Sequence, residues 1–435
     1  MRDSHRPLPP REESGITDVR LTTLGNGIRV VSDARPHLAS ASVGVWVDAG
    51  ARNESAAENG ISHMLEHMLF KGTARRSARA IAEEIENVGG HMNAYTSRDH
   101  TSFYAKVLKE HVPLAVDILA DILQHSLLDP EEIAREREVI IQEIGQAQDT
   151  PDDIVFDHLQ AAAFPDQPLG RPILGTEDRV ASFTRDDLAA YVATHYRAPA
   201  LVVAGSGNID HEALVALTAE SFTDLPHDPG PAFEPARYQG GEHRDRRETE
   251  QLHLTLGFPS VSFEDPDHYA VQVLSTILGG GMSSRLFQEI RETRGLAYSI
   301  YAFSAAHADT GLLGIYAGSS DEVAGELARL IAEEVKKLCD GVAGPELERA
   351  RTQLKAGLLM SLESTSSRIE QLARQVLVFG RVIDIEELVA RVDAVDSEAV
   401  ARAARRMLVE GPPSLATVGP TGSLPDYDGL VALFR

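Results

Sequence analysis

Cysteine is almost absent from this chain. Cys339 is the only one among 435 residues, so no disulfide can form within the chain. It lies in the apolar-patterned segment EVKKLCDGV, which is typical of a small core residue. Disulfides are rare where thiols are kept reduced, so the composition indicates a reducing compartment, and we expect a cytoplasmic protein.

Basic residues are also scarce. The chain has 41 Lys and Arg against 66 Asp and Glu, a formal net charge of −25. A general nucleic-acid binder needs a basic face, and attraction to anionic membranes needs basic clusters, so both classes are disfavoured. The charge suits peptide partners, cationic peptides among them, although acidity also serves solubility alone.

Long hydrophobic runs are missing as well. No apolar stretch approaches the roughly 20 residues that a membrane helix needs. The N-terminal residues MRDSHRPLPPREESG are polar and proline-rich, and they lack the apolar core of a secretory signal. We therefore predict no membrane association and a flexible arm over residues 1–16.

The remaining chain shows an internal duplication. Strand, turn and helix patterns in 101–123 (TSFYAKVLKEHVPLAVDILADIL) recur in 310–332 (TGLLGIYAGSSDEVAGELARLIA). The helical pattern of 129–144 recurs in 344–359 in the same order. The repeat predicts an α+β protein with two homologous domains, each a mostly antiparallel sheet flanked by helices.

Composition places the boundary between the two copies. The segment 225–247 is rich in proline, glycine and charge, which is typical of a linker. We therefore predict a first domain over 17–224, a linker over 225–247 and a homologous second domain over 248–435.

The segment HMLEHMLFKGT (63–73) carries the main chemical motif. On a helix, His63 and His67 lie one turn apart on one face, where two imidazoles can bind one tetrahedral ion. Glu66 lies on the same side and can accept a proton from a metal-bound water. By itself, such a histidine pair is more often a surface or core feature than a metal site.

A catalytic zinc site needs a third protein ligand, and EREVIIQEIG supplies Glu136, Glu138 and Glu143 as candidates. These acids also fit a solvated helix face. In the second copy, an offset of 215 residues places Arg351 and Leu358 where Glu136 and Glu143 stand. Acids confined to the copy with the histidines favour a functional role.

The motifs together resemble the pitrilysin–insulinase family of inverzincin zinc peptidases. The matching segments are GISHMLEHMLFKGT, GGHMNAYTSRDHTSFYAKV, EREVIIQEI and GGGMSSRLFQEIRETRGLAYSIYAF. The resemblance implies one Zn²⁺ per chain on His63, His67 and Glu143. It also implies that Glu66 is the general base of an endopeptidase and that Glu136 is an auxiliary catalytic glutamate beside the metal.

The same resemblance implies substrate-binding residues. An extended peptide would add as a strand beside Asn93, Ala94, Tyr95 and Thr96, since an open sheet edge binds main chain with little sequence preference. Phe70 would contact the residue after the cut, and the pair Asp153 and Asp157 would hold an arginine before it. An ordinary edge strand and a solvated helix face are the alternatives.

Arg291 and Tyr298 match the family's Arg–Tyr pair in the second domain. An arginine and a phenol are suitable donors for a developing oxyanion. In family dimers this pair reaches the other subunit's zinc, so we expect a homodimer cleaving short unfolded peptides or presequence-like segments. The alternatives are the catalytic half of a heterodimeric processing peptidase and a non-catalytic scaffold subunit.

Overall fold

The structure is a computed structural model that describes residues 18–435. The predicted arm over 1–16 lies outside these residues. The strands are β1 Asp18–Thr23, β2 Arg29–Ala34, β3 Ser40–Val47, β4 His91–Thr96, β5 Thr101–Leu108, β6 Leu201–Gly207, β7 Gly241–Asp245, β8 Leu252–Ser260, β9 Ala297–Ala306, β10 Gly311–Ser319 and β11 Ser414–Val418.

Fifteen α-helices surround these strands within the described part of the chain. Eight precede β7: α1 Ile61–Leu69, α2 Ala78–Glu86, α3 Val112–His125, α4 Pro130–Gln148, α5 Pro151–Ala163, α6 Glu177–Ser182, α7 Arg185–His195 and α8 His211–Ser221. Seven follow it: α9 His268–Gly279, α10 Ala324–Leu338, α11 Gly344–Ser361, α12 Thr365–Phe379, α13 Ile385–Asp393, α14 Ser397–Val409 and α15 Tyr427–Leu433. A π-helical segment spans Phe287–Thr293. Between residues 18 and 435, no helix combines the length and apolar character that crossing a membrane requires.

Two sheets follow one plan. The first has the order β1-β2-β6-β3-β5-β4 and the second the order β7-β11-β8-β10-β9. In each sheet one pair is parallel, β2 with β6 and β7 with β11, and the other pairs are antiparallel. Strand β4 ends the first sheet as β9 ends the second. The predicted α+β duplication is confirmed.

Each sheet is covered on one face by a helix from the other half of the chain. Helix α5, which follows the first copy's long helix α4, packs on β8 and β11 of the second sheet. Its Val155 and Leu159 are fully buried in a cluster with Leu312 and Val418.

Helix α12 of the second copy makes the reciprocal contact with the first sheet. Ile369, Leu372 and Val376 are buried against Trp46 and Val202. Side chains alternate faces along a strand, so Val203, next to Val202, joins the opposite core of the first half. The two halves are therefore interlocked by an exchange of one helix each.

The segment between the halves differs from the predicted linker at one end. Residues 224–240 have no regular helix or strand, but Gly241–Asp245 is strand β7, paired in parallel with β11. The predicted linker over 225–247 therefore includes an edge strand of the second sheet. Charged residues in that strand, such as Glu242, obscured its pattern.

Charged side chains also join the two hairpin turns where the halves meet. The buried Arg52 pairs with Asp99 at 3.0 Å and with Asp309 at 2.8 Å. The imidazole of His307 lies 2.7 Å from the other Asp99 oxygen. Burial acts to raise the pKa of Asp99, but contacts with His307 and Arg52 outweigh it and lower that pKa to about 2.

Candidate metal centre

The start of helix α1 depends on a glycine and on a buried glutamate. Gly60 has φ +96, and a Cβ there would lie 2.8 Å from the carbonyl oxygen of Leu174. The buried Glu54 carboxylate accepts the first backbone N–H groups, from Gly60 at 2.8 Å and Ser62 at 2.9 Å. Burial raises the pKa of Glu54 to about 7, although those hydrogen bonds act to lower it. The start of the helix is thereby fixed.

The structure brings the predicted ligand set together. His63, His67 and Glu143 each offer a ligand atom, and the three atoms lie within 4.8 Å of one another. The Nε2 atoms of both histidines are 3.7 Å from Glu143 Oε2. Glu143 arrives on helix α4, whose start is capped by Asp129, with Pro130 in its first turn.

This donor set suits a zinc ion. Two atoms bound at about 2.0–2.1 Å to one tetrahedral ion lie roughly 3.4 Å apart, close to the distances between Nε2 and Oε2 seen here. Burial, and then the charge of His67, lower the pKa of His63 to about 4, so His63 is held in the neutral form that binds metal. Two imidazoles and one carboxylate also leave a coordination position open.

Glu136 lies behind the histidines. Its Oε2 is 2.8 Å from Nδ1 of His67, and its Oε1 is 2.5 Å from Nζ of Lys71. Burial acts to raise the pKa of Glu136, but hydrogen bonds from Lys71 and His67 outweigh it and hold that pKa below its ordinary value. The ionised carboxylate accepts the Nδ1 proton of His67, which leaves the Nε2 lone pair facing Glu143.

Glu66 projects from the same helix toward the edge strand β4. Its Oε2 accepts a 2.7 Å hydrogen bond from the hydroxyl of Thr96. Burial raises the pKa of Glu66, and contacts with Thr96 and His67 only partly oppose this rise. A carboxylate with a raised pKa beside a metal-ligand set is suited to accept and return a proton.

Strand β4 forms one edge of the first sheet, and its side chains have distinct contacts. Asn93 is exposed, and its Oδ1 accepts the backbone N–H of Ala94 at 2.9 Å, so an added peptide strand has to displace this contact. The hydroxyl of Tyr95 donates to Glu370 of α12 at 2.5 Å and contacts His100 at 2.9 Å. The second half therefore supports the edge strand.

The other predicted substrate residues lie around α1 and α5. Phe70 ends α1 half-buried, with its ring 6.0 Å from that of Phe103. Asp153 is exposed, whereas Asp157 accepts a 3.0 Å hydrogen bond from Arg98. Asp157 lines a cleft of about 380 Å³ that begins at Ile144, next to Glu143. One acid of the predicted pair is free, and the other is paired internally.

Arg291 and Tyr298 contact each other on the second half. The guanidinium carbon of Arg291 lies 5.3 Å from the centre of the Tyr298 ring, and Tyr298 is 77% exposed. Among residues 18–435, no hydrogen bond or ion pair joins either residue to the metal-ligand set.

Sequence reasoning missed several supporting residues. Lys71 belongs to the segment HMLEHMLFKGT, but no spacing rule pairs it with Glu136. Glu54, Arg98 and Glu370 act through contacts that form only when distant segments meet.

Comparison with known proteins identifies the family of this chain. The model of the insulinase family of peptidases, M16, matches residues 29–177, and the model of the M16 inactive domain matches residues 182–354. The chain belongs to the M16 peptidase family. The inverzincin resemblance is confirmed, although the second model also includes β6, a strand of the first sheet.

Several relatives of this M16 peptidase are curated proteins. A probable mitochondrial-processing peptidase subunit beta of Arabidopsis thaliana is 43% identical over 426 residues, covering 94% of this chain and 80% of that protein. The uncharacterized zinc protease YmxG of Bacillus subtilis is 38% identical over 408 residues, covering 94% of this chain and all of that protein.

Solved structures support the fold. A protease from Helicobacter pylori has a TM-score of 0.86 at 22% identity, covering 93% of this chain and 100% of that one. A peptidase M16 inactive domain from Pseudomonas fluorescens has a TM-score of 0.87 at 21% identity, covering 94% and 100%. At these identities the likeness concerns the fold alone.

Proposed function

We propose that this M16 peptidase is a zinc-dependent endopeptidase that cleaves short, unfolded peptides. The observation that carries the proposal is the convergence of His63, His67 and Glu143 within 4.8 Å, with Glu66 on the same helix. Relatives named zinc proteases support the choice of metal. One ion per chain follows, because residues 18–435 hold one such group.

His63, His67 and Glu143 would hold the ion through Nε2, Nε2 and Oε2. A zinc ion supplies Lewis acidity, which makes a water nucleophilic near neutral pH and polarises a carbonyl. Glu136 and Lys71 keep the His67 ring oriented for this task.

Glu66 would carry the proton. Its Oε2 is engaged by Thr96, so Oε1 is free to take the proton of the attacking water and to return it to the leaving amine. Thr96 fixes the carboxylate at the end of the strand on which substrate would lie. An extended peptide would pair with β4 through its main chain, with Phe70 and the Asp153–Asp157 pair contacting its side chains.

Arg291 and Tyr298 would act on the metal site of a second copy. Both are suitable donors to an oxyanion, and Tyr298 is largely exposed on the chain described here. A homodimer with two composite sites is the simplest assembly that uses both sets of residues.

The deciding experiment compares the native protein with Glu66→Gln on quenched 10–20-residue peptides, some of them arginine-rich. We expect only the native protein to cleave, with equal zinc content in both. Equal cleavage by both would remove Glu66 from the mechanism. A zinc content near zero in native protein purified without chelators would contradict the proposed metal.

A second candidate is the catalytic half of a heterodimer, which relatives named processing peptidase subunit beta favour. Light scattering on the pure chain separates the two. A dimer that cleaves supports the homodimer, whereas an inactive monomer that binds zinc supports the heterodimer.

A further inference from the structure

The second half contains a cleft that the metal centre does not use. It has a volume of about 280 Å³ and lies between α9, α11, α12, α13 and β9. These elements include the counterparts of α1, α4, α5 and β4, which surround the metal-ligand set in the first half. Leu358, which stands where Glu143 would by the offset of 215 residues, is part of its lining. We call it the second cleft.

The floor and walls of the second cleft are mainly apolar. They include the side chains of Phe263, Leu354, Leu358, Phe379, Ile383 and Val392. The equivalent place in the first half holds carboxylates and imidazoles. The second copy has therefore lost the metal chemistry while keeping an indentation that an apolar group can fill.

One cation lies at this cleft without a carboxylate partner. Arg374 is exposed, and it makes no ion pair or hydrogen bond with residues 18–435. None of the Asp and Glu residues between 18 and 435 lines the cleft. Glu370, one helical turn earlier, accepts hydrogen bonds from Tyr95 and Trp46, and the charge of Arg374 acts on it only from beyond ion-pair distance. In a chain with an excess of 25 negative charges, an unpaired arginine over an apolar floor favours an anionic ligand.

Two amides add donors beside Arg374. Gln371 Oε1 accepts from Arg368, and Gln375 Oε1 accepts from the N–H of Ile383. Neither Nε2 atom has a hydrogen-bond partner within the described part of the chain. His268 carries no charge into the cleft near neutral pH, since burial, and then Arg374, lower its pKa.

We infer that the second cleft binds the carboxyl-terminal residue of a peptide with an apolar side chain. The side chain occupies the apolar floor beside Leu358. The terminal carboxylate pairs with Arg374, and the Nε2 groups of Gln371 and Gln375 donate to the preceding peptide carbonyl. An alkyl carboxylate would leave these two amide donors unpaired, so we assign the site to a peptide end. This binding does not depend on cleavage at the metal centre.

Calorimetric titration of the zinc-loaded Glu66→Gln protein tests the assignment without turnover. The probes are N-acetyl-Leu-Phe, its carboxamide and decanoate. We expect the free acid to bind once per chain and the carboxamide to bind at least about tenfold more weakly, the effect of losing one charged hydrogen-bond partner.

Variants place the binding in the second cleft. Arg374→Gln should abolish the preference for the acid over the carboxamide, and Leu358→Asn should weaken both probes. Arg349→Gln removes the same charge from an exposed position of α11 outside the cleft and should change nothing.

Three outcomes would overturn the assignment. Acid and carboxamide binding equally well would exclude carboxylate recognition. Equal effects of Arg374→Gln and Arg349→Gln would reduce the preference to general charge attraction. Decanoate binding more tightly than the dipeptide would replace the peptide end with an alkyl carboxylate. An inactive peptidase that still shows the expected pattern would leave this inference standing.

Discussion

At the scale of single residues, the metal centre depends on groups behind the ligands as much as on the ligands. The ring of His67 is oriented by Glu136, and the Glu136 carboxylate in turn forms an ion pair with Lys71. Such outer partners set the tautomer and orientation of a metal-bound imidazole.

Glu136→Gln should therefore weaken zinc binding by about 10–100-fold and lower activity in parallel at limiting zinc, because the amide is a weaker acceptor for the His67 proton. Competition with a chelating indicator measures the affinity. Glu138→Gln, exposed on the same helix, is the matched control and should leave affinity unchanged. Equal loss in both variants would mean that helix charge, not orientation of His67, is responsible.

Glu54 gives a pH dependence with a definite sign. Its pKa is raised from 4.5 to about 7 in the folded chain, so its contribution to stability is present below pH 4.5 and is lost as pH rises through 7. Relative to Glu54→Gln, native protein should lose about 3 kcal/mol of unfolding free energy between pH 5 and pH 8. Urea unfolding at both pH values measures this. Glu86→Gln, exposed on α2, should show no such trend.

Spacing within a helix made the histidine pair of the metal-ligand set predictable from sequence, since four residues return a side chain to the same face. Glu143 and Glu136 needed the family resemblance to be ranked above Glu138. Lys71, Glu54 and Glu370 could not be found this way, because their partners come from other segments and no periodicity encodes those encounters.

At the scale of elements, the sequence indicates the order of most strands and helices but not the sheet that each helix covers. The Gly25-Asn26-Gly27 segment, which is typical of a hairpin turn, lies between β1 and β2, and these strands pair antiparallel. The two copies agree in the order of their elements. Nothing in the amphipathic pattern of α5 or α12 states which sheet its apolar face covers. The amphipathic pattern of a helix shows that one face must be buried, but it does not identify the surface that buries it.

Arg98, in the turn after β4, occupies the Asp157 carboxylate that lines the cleft beside Ile144. That guanidinium is only 19% exposed and pairs with Asp157, so a substrate arginine has to compete with it. Arg98→Gln should raise the ratio of cleavage rates for arginine over glutamine peptides by about fivefold, the value of a partly exposed ion pair.

The kcat/KM for matched peptides measures this ratio, and Asp157→Asn should lower it. Arg79→Gln, which removes a charge 85% exposed on α2, is the control. An unchanged ratio in Arg98→Gln would indicate that substrate cations do not reach Asp157.

At the scale of the whole molecule, the exchange of α5 and α12 predicts that the two halves unfold as one cooperative unit. Trp46, the only tryptophan, lies in the contact between α12 and the first sheet. Val155 lies in the other exchange contact, on the second sheet.

Val155→Asp buries a carboxylate and should cost about 4 kcal/mol or more. Because the halves are interlocked, the Trp46 fluorescence transition of Val155→Asp should move to a lower urea concentration than in native protein. The transition followed by circular dichroism should coincide with it. Val139→Asp, at an exposed valine of α4, is the control and should shift neither the fluorescence nor the circular dichroism transition. A Trp46 transition unmoved by Val155→Asp would show that the halves unfold independently.

The helix exchange also bears on how such a chain could originate. Two copies of a half-length chain, each with one sheet and trading one helix, would form the same pair of contacts as a domain-swapped dimer. Fusing them would require only the connection between α8 and β7, which in this chain runs from Phe222 to Gly240. The gene fusion would then preserve, within one molecule, an association that began between two.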